Sequence, residues 1–292
     1  MQRSCLEEPR SDALLERLLA RADEVASGPH WRADAFRIIA PHTTMPAVAP
    51  SAYCAAAGPG SHAWVFLATP VHYLAEISNV RFAADGILAL DAAHAAALAR
   101  DFNRVWRDSG VDLWPSSSRL FCRFDVAVEA ATSDPEWVRG RHLENFLPTG
   151  RDAGRLRRLM SEMEMWLFEH PVNRDRVRQT QLAVSALWLW GGGAPLASLP
   201  EVQGGTAGGD VFFDAFPAAA GRCADVMVLD AGPQTPEWTG MQARWLAPSL
   251  ADLRRGVIEQ LELSAGERCY AIRAHWRRRF WRRAKPWWEY FE

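Results

Sequence analysis

An almost continuous apolar run, LAVSALWLW (182–190), constrains the fold more than any other segment of this sequence, and three glycines end it. A run of strand length bounded by glycine is typical of a buried strand inside a sheet. Further strands are predicted at 63–68, 118–128 and 226–230, with a last edge strand at 268–272. The sequence therefore predicts a sheet that is covered on both faces.

Amphipathic helices are predicted between these strands. Over 152–170, apolar residues such as Leu156, Leu159 and Met163 recur at intervals of three and four, which places them on one helix face. Pro171 ends this helix. Other helices are predicted at 12–26, 91–108 and 249–263. Because strands and helices alternate, we predict an α/β fold with a mixed or mostly parallel sheet flanked by helices.

Composition divides the 292 residues into three predicted segments. Residues 1–62 are an N-terminal helix and loop segment, residues 63–267 are the α/β body, and residues 268–292 are a basic aromatic tail. Within the body, the segment near 194–210 fits either a sub-boundary or a long loop.

The formal net charge is −2, yet the tail carries seven Arg and one Lys against two Glu, so the remainder is acidic.

The tail interleaves basic with aromatic side chains and is a candidate interaction segment. Three alternatives remain open. Its aromatics dock on the body while its arginines face water, or it binds a membrane surface, or it binds nucleic acid. The candidate contact residues are Trp276, Arg277, Arg278, Arg279, Trp281, Arg282 and Arg283.

The cysteines and the N-terminus predict a cytoplasmic protein. The five cysteines are scattered, odd in number and without a CxxC pair, which favours free thiols in a reducing compartment. The N-terminal residues are charged where a signal peptide requires an apolar run, and no apolar stretch is long enough to span a membrane.

The segment HPVNRDR (170–176), followed by the strand ending in WLWGGG, is the strongest candidate site. Arg174, Arg176 and Arg178 offer guanidinium forks suited to phosphate or carboxylate. Glycines after a strand let backbone N–H groups approach an anion. The alternative is a helix stop, a solvated arginine run and a tight turn.

The motifs HPVN and WLWG, with an arginine three residues after the asparagine, resemble a segment of the archaeal-type cofactor-independent phosphoglycerate mutases. They are still more similar to proteobacterial proteins known as RpfE-type regulatory proteins. The similarity extends over about residues 60–193, through TPVHYLAEISNVRFAADGILAL (69–90), FNRVWRDSGVDL (102–113), TSDPEWVRGR (132–141) and LPTGRDAGRLRRLMSEMEMWL (147–167). The resemblance implies a phosphoglycerate-mutase-like fold.

The resemblance also implies where an anionic ligand would bind. The candidate contacts are Arg81, Arg119, His170, Asn173 and Arg176, together with Gly191 and Gly192. The ligand would be a phosphorylated or carboxylated small molecule. The mutases use two metal ions held by an early Asp-Gly and a late Asp-x-x-Gly-His block. The first 60 residues of this sequence contain no Asp-Gly and the late block is absent, so no metal site and no cofactor is expected.

Three functions follow from these patterns. The leading hypothesis is a cytoplasmic regulatory or ligand-binding protein, a catalytically degenerate relative of phosphoglycerate mutase. The second is an active phosphotransferase or phosphohydrolase with a rearranged site, in which Arg119, His170 and Arg176 clamp phosphate. The third is an interaction module that acts through its tail, with a protein, lipid or nucleic-acid partner.

Asp91 with His94 is expected to be a helix cap rather than a metal pair.

Overall fold

The structure is a computed structural model that describes most of the chain. The described residues are 12–26, 31–40, 63–77, 79–116, 119–202, 206–207, 210–213, 215–216, 226–227, 242–265 and 268–290. They fall into two compact units. Unit 1 draws on Met1–Met45 and Pro200–Glu292, and unit 2 draws on Pro46–Leu199.

Helices and strands alternate only in part along the chain. The helices are α1 (Ala13–Arg21), α2 (Trp31–Ile39), α3 (Ala92–Val105), α4 (Pro135–Val138), α5 (Ala153–Phe168), α6 (Pro171–Arg178) and α7 (Ala247–Arg255). The strands are β1 (Asp23–Val25), β2 (Trp64–Ala75), β3 (Val80–Ile87), β4 (Val111–Ser116), β5 (Arg119–Phe124), β6 (Ala186–Gly193), β7 (Thr206–Ala207), β8 (Val226–Met227), β9 (Gln260–Ala265) and β10 (Arg268–Arg273).

Unit 2 is built on a five-stranded antiparallel sheet around the long strand β2. Val65 pairs with both Arg123 and Gly193, and Val71 pairs with both Ile87 and Ala186. Strand β6 therefore runs along one edge of β2, while β5 and β3 share the opposite edge. Strand β4 completes the sheet beside β5.

The α/β class is confirmed, but the expectation of a mostly parallel sheet is wrong. Only two residues separate β4 from β5 and only four separate β2 from β3, whereas a parallel pair needs a crossover of a dozen or more residues. Within the described residues, the one parallel pairing joins the two-residue strands β7 and β8. Apolar runs report burial and carry no information on strand direction.

The apolar run at 182–190 supplies β6, which is a buried strand but not a central one. Residues 186–190 are all buried, so both faces are covered, and α5 packs against the strand. Among the described strands β6 pairs with β2 alone. The core beside it contains Phe66, Phe82 and Trp188, with the Phe82 and Trp188 rings edge to face at 6.0 Å.

Unit 1 holds a three-stranded antiparallel sheet in the order β1-β10-β9. The predicted edge strand at 268–272 is thus its middle strand, and the predicted tail boundary at residue 268 falls between two paired strands. The predicted helix at 249–263 ends early, because Gly256 adopts a φ of 72° as the C-cap of α7. Strand β9 follows.

Two further observations concern membrane-spanning helices and free cysteines. No helix in the described ranges combines the length and the apolar composition that crossing a membrane requires. Cys122 and Cys269 are buried free thiols, and burial raises the pKa of the Cys269 thiol to about 12. Cys5, Cys54 and Cys223 lie outside the described residues.

Candidate functional site

The HPVN motif lies at the junction of α5, α6 and the segment that leads into β6. His170 is the N-cap of α6, and Pro171 occupies its first turn, where the missing N–H costs nothing. The following residue, Val172, donates its backbone N–H to His170 Nδ1 at 3.2 Å. The predicted helix stop is therefore present, and the histidine side chain forms part of it.

The capping bond determines which nitrogen of His170 carries the proton. Because Nδ1 accepts, the neutral ring carries its hydrogen on Nε2. A carboxylate oxygen of Asp101 lies 3.4 Å from Nε2, too far for a strong hydrogen bond, and Nε2 has no other hydrogen-bond partner among the described groups. The ring also packs edge to face on Trp166 at 4.7 Å.

Burial and charge act in opposite directions on this pair. Burial lowers the pKa of His170, and the Asp101 carboxylate opposes that shift. The Arg100 guanidinium, which donates to Asp101 at 3.1 Å, lowers the pKa of the Asp101 carboxyl. The stable arrangement at neutral pH is thus a neutral imidazole beside a carboxylate already paired with arginine.

We expect the free energy of unfolding to fall below neutral pH because of His170. The unfolded chain binds the proton with an ordinary pKa of 6.5, above that of the folded chain. The contribution of neutral His170 to the free energy of unfolding is therefore fully present above pH 6.5. It is lost as the pH falls through the pKa of His170 in the folded state. Urea unfolding between about pH 8 and 5 should show this slope, and His170→Asn, which keeps a capping acceptor, should flatten it. An unchanged slope in the variant would contradict this assignment.

Asn173 acts as a clamp between three main-chain groups. Its Nδ2 donates to the carbonyls of Leu167 and Val184, both at 2.8 Å, and its Oδ1 accepts from the Val184 N–H at 2.7 Å. The side chain is buried, and these bonds use both donors of the amide. Asn173 thus ties the end of α5 to the segment that enters β6.

Arg176 has the same kind of role at the next turn of α6. Its Nε donates to the Leu182 carbonyl at 2.8 Å and its Nη1 donates to the Ala89 carbonyl at 3.0 Å. The side chain is buried, and burial lowers the pKa of the guanidinium. Two of its N–H groups are thus committed to the fold in the absence of any ligand.

The glycine triplet belongs to β6 itself rather than to a loop beyond it. Leu67 pairs with Trp190 and Val65 with Gly193, so β6 contains one extra residue there, a β-bulge. Gly191 adopts a φ of 59° in that bulge. A Cβ built on Gly192 would lie 2.0 Å from Cε1 of Phe66. The left-handed backbone accounts for Gly191, and close packing against the sheet core accounts for Gly192.

The other predicted ligand contacts lie on different strands. Arg81 on β3 donates to Glu76 at 2.7 Å and to the Gly140 carbonyl at 3.3 Å. Arg119 begins β5, where it pairs with Ser116. Neither lines the cleft beside His170. The anion site composed of all seven predicted residues stays a prediction.

A cleft of about 260 Å³ opens where α3, α5 and α6 meet. Its lining residues are Asp101, Arg104, Met165, Trp166, Glu169, His170 and Pro171. The sequence reasoning missed Asp101, Arg104 and Trp166. The spacing of Trp166 and His170, four residues apart near a helix end, could have placed them together. Two carboxylates and one guanidinium line the cleft, so its charge is mixed rather than basic.

One arginine of the run on α6 is likewise paired with an acid. Arg178 forms an ion pair with Asp175, and Arg174 is exposed on the same helix.

The predicted helix cap at Asp91 is present, since its Oδ1 accepts from the His94 N–H at 2.7 Å. His72 contacts the Ala183 carbonyl at 2.9 Å. In the described part of the chain, no group of three metal-ligating side chains is brought together.

The predicted tail contacts divide into two sets. Trp276 is buried in the core of unit 1, Arg279 donates to the Arg21 carbonyl at 3.2 Å, and Arg282 donates to the Ala22 carbonyl at 2.7 Å. Arg279 also pairs with Asp23, which lowers the pKa of that carboxyl. The second set, Arg277, Arg278, Trp281 and Arg283, is exposed.

Comparison with known proteins adds a relationship to these observations. The chain is similar in part to 2,3-bisphosphoglycerate-independent phosphoglycerate mutases. It is 37% identical to the enzyme of Methanothrix thermoacetophila over 76 residues, which is 26% of this chain and 19% of the relative. It is 36% identical over 72 residues to a probable mutase of Geobacter sulfurreducens, and 25% identical over 75 residues to the Methanosarcina barkeri enzyme.

The similarity is confined to a fraction of each protein. This chain spans less than a fifth of the length of the curated relatives that it matches. No family model and no solved structure matches it. The chain is therefore related in part to the mutases, and a match of this extent does not assign their activity to it.

Proposed function

We propose that this protein is a cytoplasmic regulatory or ligand-binding relative of phosphoglycerate mutase, of the RpfE-type group, that does not interconvert phosphoglycerates. One observation carries the proposal. Asn173 and Arg176, the residues of the mutase-like motif best suited to bind an anion, are bound to main-chain groups of their own fold. In this chain the motif has a structural use that is sufficient to explain its residues.

The ligand part of the proposal follows from the resemblance. It gives Arg81, Arg119, His170, Asn173, Arg176, Gly191 and Gly192 as candidate contacts for a phosphorylated or carboxylated molecule. Asn173 would donate to such a ligand only by giving up a main-chain bond, because both of its donors are used. The rearranged phosphotransferase is the weaker alternative, because the cleft at His170 is lined by neither Arg119 nor Arg176. A phosphate there would face two carboxylates, Asp101 and Glu169, against the one guanidinium of Arg104, so the charge of the lining does not favour it.

A mutase assay on the purified full chain tests the proposal. With 3-phosphoglycerate as substrate and Mn²⁺ or Zn²⁺ added separately, we expect no 2-phosphoglycerate above the protein-free control. The Methanothrix thermoacetophila enzyme serves as the positive control. Calorimetric titration with 3-phosphoglycerate of the same preparation measures ligand binding without turnover.

Turnover that chelators abolish, together with stoichiometric binding of either metal, would contradict the proposal. A saturable titration without turnover would support the ligand-binding form of it. In that case Arg81→Gln should weaken binding, whereas Arg158→Gln, on the exposed face of α5, should leave it unchanged. A chain that binds no phosphoglycerate would favour a regulatory role through a macromolecular partner.

A further inference from the structure

The segment after β10 exposes two neighbouring aromatic side chains. Phe280 is 77% exposed and Trp281 is 66% exposed, and their rings lie 5.7 Å apart. We call this pair the aromatic tip. Large aromatics usually bury most of their surface, so two adjacent exposed rings indicate a surface that meets something other than water.

The aromatic tip is held outward by contacts on both sides in the chain. Before it, Trp276 is buried against α1 and Arg279 donates to the Arg21 carbonyl. After it, Arg282 donates to the Ala22 carbonyl, and Tyr290 packs edge to face on Tyr270 at 5.9 Å. These anchors fix the backbone of the loop, so presenting the two rings costs little further ordering.

Three exposed arginines flank the aromatic tip in the chain. Arg277, Arg278 and Arg283 are exposed, and none forms an ion pair with the described residues; we call these three the basic rim. In contrast, Arg273, Arg279 and Arg282 of the same segment all pair with Asp23. The segment therefore separates arginines that pair with an acid of the fold from exposed arginines without an acidic partner, although Arg277 also lies over the Trp276 ring at 5.5 Å.

We propose that the aromatic tip and the basic rim bind an anionic lipid surface. Aromatic rings partition to the boundary between headgroups and acyl chains, and arginines beside them attract lipid phosphates. Charge complementarity selects this occupant, because an apolar protein groove would leave the three guanidinium groups of the basic rim without an anionic partner. The proposal goes beyond the function proposed above and does not depend on it.

The ring geometry favours lipid over nucleic acid. The Phe280 and Trp281 planes are inclined at 79°. Consecutive bases in a stack are roughly parallel, so stacking bases of one continuous stack on both rings would require one of the two rings to turn. Insertion between lipid headgroups sets no such requirement on ring orientation.

Vesicle flotation with the full chain tests the proposal. Vesicles containing about 30 mol% phosphatidylglycerol in phosphatidylcholine should bind the protein, and phosphatidylcholine alone should bind it at least tenfold more weakly. Each basic-rim arginine changed to Gln should cost about fivefold in affinity. Phe280→Ser with Trp281→Ser should reduce binding at least tenfold at unchanged thermal stability, because both side chains are exposed.

A matched control uses exposed residues of the other unit. Phe168 is 82% exposed on α5, and Arg158 and Arg174 are exposed in unit 2. The variant Phe168→Ser, Arg158→Gln, Arg174→Gln removes the same kinds of side chain and should bind vesicles as the wild type does. Raising the salt from about 0.1 M to about 1 M should weaken wild-type binding strongly, because screening shortens the range of the basic rim.

Three outcomes would overturn the proposal. In the first, the folded wild-type chain does not float with anionic vesicles. In the second, it binds neutral vesicles as well as anionic ones. In the third, the control variant loses as much vesicle binding as the aromatic-tip variant. A single-stranded oligonucleotide that displaces the protein from vesicles, with binding lost in the aromatic-tip variant, would assign the surface to nucleic acid instead.

Discussion

Asn173→Ala should destabilise the protein by about 3 to 5 kcal/mol, a large fraction of the stability of a typical domain. The substitution removes the partner of the Leu167 carbonyl, the Val184 carbonyl and the Val184 N–H, all bonded at 2.7 to 2.8 Å. Each buried polar group left without a partner costs about 1 to 3 kcal/mol. Urea unfolding measures the loss, and hydrogen exchange at the Val184 amide should show it locally.

Two further variants separate this clamp from helix propensity. Asn173→Asp keeps an acceptor for the Val184 N–H but loses both donors, so it should also destabilise strongly. Arg174→Ala, at the adjacent exposed position of α6, should change stability by less than about 0.5 kcal/mol. If Asn173→Ala proved as mild as Arg174→Ala, the structural account of the HPVN motif would be wrong.

Gly192→Ala should destabilise the protein by about 3 kcal/mol through overpacking. The added Cβ would lie 2.0 Å from Cε1 and 2.4 Å from Cδ1 of Phe66, a fully buried ring on β2 that has no free space to turn into. Thermal unfolding measures the effect. Phe66→Leu in the same chain should recover part of the loss, because the two sites share one contact and their effects are not additive.

Gly154→Ala provides the opposite control. This glycine lies in α5 with no atom within 4 Å of the added Cβ, so alanine should stabilise the helix by about 0.5 to 1 kcal/mol. Gly191→Ala adds a third comparison, since its φ of 59° places the cost in the backbone rather than in a clash. Equal stability of Gly192→Ala and Gly154→Ala would refute the packing account.

Much of the local structure could be predicted from residue patterns. The apolar repeat over 152–170 gives α5, Asp91 caps α3, and the apolar run before the glycines gives β6. These features depend on neighbours within a few residues, where periodicity and capping chemistry act directly. The end of α7 at Gly256 was missed because an apolar spacing continued past a residue with a left-handed backbone.

The candidate site could be predicted only in its residues and not in their roles. The sequence shows that His170, Asn173 and Arg176 are able to bind an anion. It cannot show that the carbonyls of Val184 and Ala89 already accept N–H groups of Asn173 and Arg176. Asp101 was not predicted at all, because its proximity to His170 depends on how α3 meets α5 and α6.

The sequence by itself determined the α/β class, the approximate positions of four of the seven described helices and five of the ten described strands, and the partial similarity to phosphoglycerate mutases. Those properties follow from local periodicity and residue identity. Only the tertiary structure decided that the two larger sheets are antiparallel, that the HPVN motif clamps main-chain groups, and that the tail divides into anchoring and exposed arginines. Each of these depends on contacts between residues far apart in the chain, which burial patterns do not encode. Trp276 and Trp281 illustrate the difference, since five positions of one aromatic segment separate a core residue from an exposed one.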